Sequence, residues 1–191
     1  LFISSNPAIS TEDEYPTGAS SDDQLVTYFE DRFVANIQNG IRPLRRDGRF
    51  GGAQAFWSFV RKRAKELGVA NPGADYALTE IVRCKSNGEA GVLAARSTCT
   101  DLYLKRTLAA SKAHTLITLG VHAEHELRRL VGVHGAERVV GPIEVCGHQR
   151  MIAFIPHANA REDRTFGKLL DPNVLKQLRG WTTKSAEPAP A

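Results

Sequence analysis

The chain has 191 residues, 42% hydrophobic and 24% charged, a size and balance that suit one globular unit with a full core. No apolar stretch approaches the length of a membrane span, so no membrane partner is expected. The net charge of +4 hides an asymmetry: residues 1–30 hold six acids and no Lys or Arg, which leaves 25 basic residues against 15 acids elsewhere. That surplus suits a phosphate-rich partner, and equally a solvated face.

The chain opens inside an apparent strand, residues 1–5, with no Met before it, which implies a segment upstream. Ser4-Ser5-Asn6-Pro7-Ala8 forms a polar turn at its end. Asp22 and Asp23 open a candidate helix with Leu25, Val26, Phe29 and Phe33 at helical spacing. Residues 35–50 read as a loop punctuated by Gly and Pro. Ala53 to Leu67 predicts a second helix, apolar through Phe56, Phe59, Val60 and Leu67, with Arg61, Lys62, Arg63 and Lys65 largely elsewhere and Gly68 as its stop. A short strand is expected around Ile81-Val82, then a helix from Ser97 to Ala110 and a strand over Thr115–Leu119. Ala123 to Leu130 predicts the next helix, bearing His125, Arg128 and Arg129, with His122 just before it. Residues 151–155 predict the last strand, followed by His157-Ala158-Asn159-Ala160-Arg161. The Pro/Ala-rich end predicts a disordered tail, 182–191, beyond a single domain over 1–181.

Strands alternating with helices predict an α/β fold: three layers, α/β/α, around a four-stranded, mainly parallel sheet. In such sheets the chemistry sits just past the carboxyl ends of the strands. The turns after residues 5 and 155 therefore stand out, one offering the amide of Asn6 and the other the imidazole of His157. Three cysteines, Cys84, Cys99 and Cys146, make no disulfide framework and point to a reducing, cytoplasmic setting. His114, His122, His125, His134 and His148 lack zinc-protease spacing and read as solvated residues, with no metal expected.

Five fragments, in order, resemble the uracil-DNA glycosylase superfamily from Leu1 to about Leu178. Ser4-Ser5-Asn6-Pro7 is similar to the Gly-x-Asn-Pro-Gly motif of the mismatch-specific and single-strand-selective branches. Arg49-Phe50-Gly51-Gly52 resembles Arg-Pro-Phe-Val-Gly of the thermophile-type, iron–sulfur branch. Thr79-Glu80-Ile81-Val82-Arg83-Cys84 resembles that branch's Thr-Asn-x-Val-Lys-Cys, and Thr115-Leu116-Ile117-Thr118-Leu119-Gly120 its Val-Ile-x-x-Leu-Gly strand. His157-Ala158-Asn159-Ala160-Arg161 is similar to His-Pro-Ser-Pro-Arg of the single-strand-selective branch.

The resemblance implies a uracil-DNA-glycosylase-like fold and a monofunctional DNA glycosylase, acting as a monomer on a deaminated or damaged base flipped out of DNA. It implies that Asn6 holds the attacking water and that His157 donates to the base oxygen that gains negative charge. Phe50 would stack on the base, with Glu80 and Ser5 also contacting it. Arg161 would enter the duplex, with Asn159 on the same turn also at the DNA. Under this reading the basic residues Arg42, Arg45, Arg46, Arg49, Arg61, Lys62 and Arg63 are the candidate phosphate contacts. Each residue also has an ordinary reading: Asn6 before Pro7 as a turn element, His157 as a structural imidazole, Phe50 as core and Arg161 as a surface cation.

The sequence departs from the family at several points. Glu80 stands where an Asn reads the base edge, and an ionised carboxylate offers acceptors only. The expectation is that uracil is not the best substrate. Ala158 replaces a Pro, and Ser4 and Ala8 replace two glycines. Cys84 and Cys99 resemble the second pair of cluster ligands, but an intact cluster needs four thiolates, so no iron–sulfur cofactor is expected. These departures keep open a second reading, a catalytically weak or inactive module that binds lesions on the same fold. A phosphate-binding α/β domain ranks below both, because no Gly-rich loop follows the first strand.

Overall fold

The structure, a computed structural model, describes residues 1–7, 21–24, 49 and 52–184. Residues 22–24 are helical, as expected of Asp22 and Asp23, whereas Leu25, Val26, Phe29, Phe33, the loop before Arg49 and the tail 185–191 lie outside the described residues.

Among the described residues, five strands form one sheet: β1 (Phe2–Ser4), β2 (Leu78–Glu80), β3 (Thr115–Leu119), β4 (Val139–Val145) and β5 (His148–Ile155). Their order is β2-β1-β3-β5-β4, parallel throughout except where β4 runs antiparallel to β5. The expected sheet of four strands is thus corrected to five. The missing one is β4, a half-exposed edge strand interrupted by Gly141-Pro142, where the pairing slips between Val140 and Ile143. Its hairpin turns on Cys146 and Gly147, both at positive φ (49° and 85°), a geometry that Asn-Gly usually signals and Cys does not.

β2 also starts earlier than expected. Ile81 and Val82 follow it rather than form it, and their amides still reach the carbonyls of Ser4 and Ser5 (3.0 and 2.9 Å).

Among the described residues, the helices beyond residues 22–24 are α1 (Ala55–Glu66), α2 (Val92–Cys99), α3 (Lys105–Ala110), α4 (Val121–Val131), α5 (Phe166–Leu169) and α6 (Pro172–Thr182). A π-helical stretch, Thr100–Leu104, joins α2 to α3, so the helix expected from Ser97 begins a turn earlier. The sequence reading passed over α6, although Asp171 caps it by accepting from the amide of Asn173 (2.8 Å) and Pro172 suits its first turn. Among the described residues no helix is long and apolar enough to cross a membrane.

Side chains alternate across the sheet and divide the core in two. Phe2, Ile117, Leu119, Met151, Ala153 and Ile155 pack with Val60 and Ala64 of α1, with Leu67 just after it, and with Leu175 and Leu178 of α6. Ile3, Leu116, Ile152 and Phe154 pack on the other face with Val92, Leu104, Leu108, Ala123 and Leu127. Both faces being covered, the central strands β1 and β3 are buried along their whole length, and the layers are α/β/α.

Candidate functional site

The chain enters the sheet at β1, moves to β2 on one side, then returns to β3 on the other. The crevice at such a reversal, beyond the carboxyl ends of the strands, is where open α/β sheets bind ligands. A cleft of about 210 Å³ opens there. Ser5 lines it from the end of β1, Gly120 and His122 from β3 and the start of α4, His157 from the end of β5, and Glu89 from the connection between β2 and α2.

Local structure explains each placement. His157 follows Pro156, and the amide of Ala160 closes the turn on the His157 carbonyl (2.9 Å). Its ring stacks on Phe56 of α1, 5.5 Å between centroids and 26° between planes. The amide of Asn159 donates to Nδ1 at 3.3 Å, which fixes the proton of the neutral ring on Nε2. Burial holds the imidazole below its ordinary protonation range, with the charge of Glu89 opposing that shift. Gly120 lets this happen. A β-carbon there would lie 3.0 Å from Cβ of His157, and its φ of 91° is one that side chains rarely adopt.

Glu89 ends a tight turn, Asn87–Glu89, with φ of 61° after Gly88 at 56° and before Gly91 at 80°. The Ser5 hydroxyl donates to Oε1 of Glu89, and Oε2 stands 3.8 Å from Nε2 of His122. Nδ1 of His122 accepts from Arg96 (3.1 Å), so the His122 proton also faces Glu89. The other acids of the cleft wall have guanidinium partners: Glu124 pairs with Arg128 (2.8 Å) and Glu162 with Arg138 (3.5 Å).

The residues singled out in the sequence fall into three groups. Ser5 and His157 meet in the cleft, and Asn159 and Arg161 sit exposed on the turn that follows His157. Asn6 and Glu80 stand next to the cleft without lining it. The Asn6 amide donates instead to the Ser86 hydroxyl (2.8 Å) and the Pro7 carbonyl (3.0 Å), tying the β1 turn to the turn that carries Glu89. Glu80 closes β2 opposite Ser4. Phe50, Arg42, Arg45 and Arg46 lie outside the described residues, and Arg49 is exposed.

Arg63 departs from its expected place on the solvent side of α1. It is buried, and its guanidinium binds Glu66 (2.5 Å) and the Arg164 carbonyl (2.7 Å). Ala158 is also buried. Cys84, Cys99 and Cys146 are free thiols, and no group of three potential ligands capable of holding a metal ion occurs among the described residues.

Sequence reasoning missed Glu89 and took His122 for a solvated helix residue. The available signal for Glu89 was its setting, Gly88-Glu89-Ala90-Gly91, a glycine-framed turn after a strand. Comparison with protein-family models, curated proteins and solved structures gives no match.

Proposed function

We propose that this protein removes a base from DNA by hydrolysing its N-glycosidic bond, the activity implied by the resemblance to uracil-DNA glycosylases. The observation that carries the reading is His157: a neutral imidazole, its proton directed to Nε2, in a cleft at the point where the sheet reverses direction. Breaking an N-glycosidic bond leaves negative charge on the departing base and positive charge on the sugar. A fixed donor aimed at the base oxygen stabilises that charge, and such donors typically lower the barrier by about 3–4 kcal/mol. A neutral imidazole suits this task, since it donates without first giving up a charge.

The base must leave the duplex to reach such a cleft, at a cost of a few kcal/mol. The acids on the cleft wall keep phosphates out of its interior. The backbone would run along the rim, where Arg138 and the exposed Arg161 lie. One observation favours the second reading, a module that holds a flipped base without cutting: Asn6, the expected water holder, has its amide engaged with Ser86 and Pro7.

A panel of oligonucleotides, each with one modified base, separates the two. Alkali-labile abasic sites from one class of base, and from few others, support the glycosylase. Retained strands with selective, salt-sensitive binding support the module, and neither cutting nor selective binding discards both.

A further inference from the structure

Hydrolysis needs a second group besides the leaving-group donor, one that holds water and accepts its proton. Asn6 does not line the cleft. Glu89 does, and its backbone is held at φ 61° in the left-handed region. A residue with a β-carbon persists there only when its surroundings demand it, and such positions gather at functional sites. Glycines precede it and follow two residues later at comparable angles, so the turn itself makes no demand for a carboxylate.

What fixes Glu89 is the cleft. Its Oε1 takes the Ser5 hydroxyl, and Oε2 faces His122 across 3.8 Å. Where Glu124 and Glu162 are matched by Arg128 and Arg138, the partners of Glu89 are a hydroxyl and an imidazole. A carboxylate has about four acceptor sites, enough to hold a water as well.

We infer that Glu89 is the catalytic base of this cleft, holding the attacking water, and that Ser5 is its positioning residue. The inference rests on the glycosylase reading above. The water oxygen bonds to the sugar C1′ as the C1′–N bond breaks. The bonding pair leaves with the base and spreads onto the carbonyl oxygen that accepts from Nε2 of His157. The water's proton passes to Glu89, which returns it to solvent, and the base anion takes a proton from solvent. The sum is nucleotide plus water giving free base and a 1′-hydroxyl sugar.

The test uses the full chain and the oligonucleotide on which the wild type is fastest, in single-turnover assays from acid to neutral pH. Glu89→Gln should lower the rate about 10²–10⁴-fold while keeping DNA affinity, and should abolish the acid-side fall in rate that protonation of a catalytic carboxylate causes. The charged and titratable groups facing Glu89 are His122 on α4, with Arg96 behind it, and His157 after β5. His122→Gln should therefore keep the acid-side fall. Glu89→Gly, which suits the backbone angle, should match or exceed the wild-type Tm, be inactive, and regain part of its rate with formate. A Glu89→Gln rate within threefold of wild type, or an unchanged acid-side fall, overturns the inference and leaves the glycosylase reading standing. A wild type that releases no base from any substrate overturns both.

Discussion

Glu126 and Glu89 belong to the same chain of polar contacts and live in opposite conditions. Glu126, 1% exposed on α4, is held by Arg96 (3.1 Å), Arg129 (2.8 Å) and His125 (3.1 Å). Arg96 also reaches His122 (3.1 Å), and His122 faces Glu89, which is 45% exposed and set on a left-handed backbone. The buried end is satisfied on every side and its backbone is ordinary helix. The cleft end has few partners and a strained backbone. Complete pairing suits a buried charge that holds α2 against α4, and the exposed carboxylate of Glu89 suits the role proposed for it.

The sharpest way to break this contrast is through the second member of the cleft end. His157→Ala should slow base release about 10²–10³-fold, equivalent to about 3–4 kcal/mol of barrier. Lost stacking on Phe56 should cost only about 1 kcal/mol of stability. Rate assays beside urea melts check both halves, and a stability loss that accounts for the rate loss would erase the distinction between the two ends.

The reverse signature belongs to the buried end. Glu126→Ala leaves Arg96 facing α4 without its carboxylate and should cost about 2–3 kcal/mol in urea unfolding, less than a fully enclosed pair because Arg129 is 37% exposed. Base release by the folded fraction should stay within a few-fold of wild type. A large rate loss with little unfolding effect would move the functional end of the chain to α4.

The same contrast explains what could be read from the sequence. β3 and the inner half of β5 were legible because burial on both faces favours apolar side chains, Leu116, Ile117 and Leu119 in one and Met151 to Ile155 in the other. The edge strand β4 was not, since half of it meets solvent and Gly141-Pro142 interrupts its pattern. His157 and Ser5 were found because a position just past a strand is a local property. Glu89 was not, because its standing comes from a hydroxyl 84 residues away and from a backbone angle that no residue pattern records. The resemblance pointed to Glu80 as the carboxylate near the base, whereas the carboxylate that the β2–α2 connection brings into the cleft is Glu89. The hydrogen bond of Asn6 to Ser86 was out of reach for a related reason: the two residues lie 80 apart in sequence.

Gly120→Ala couples stability to the cleft directly. Its β-carbon would press on Cβ of His157 at 3.0 Å from a backbone at φ 91°, so the variant should lose about 1–2 kcal/mol and shift the imidazole away from the leaving base. A matching melt and a rate lower than the folded fraction explains are the expected pair. Unchanged chemistry in the folded fraction would mean that the His157 position tolerates movement, and that the geometry of the cleft end is looser than its packing implies.

The smallest effect is the pH slope that separates the two ends in the absence of substrate. Burial lowers the protonation range of His157 in the folded state, from an ordinary value of 6.5. As pH falls through that value the unfolded chain takes up a proton that the folded chain does not, so stability declines with falling pH. The decline ends once the pH passes the lowered folded value, where both states are protonated. The other histidines give a background common to wild type and variant, so the measurement is the difference in unfolding free energy between wild type and His157→Gln at pH 7.5 and at pH 5.5. The wild type should lose ground to the variant on acidification. A difference that stays constant across that range would mean His157 is as free to take a proton in the fold as in water, so that burial would not be what keeps the donor neutral.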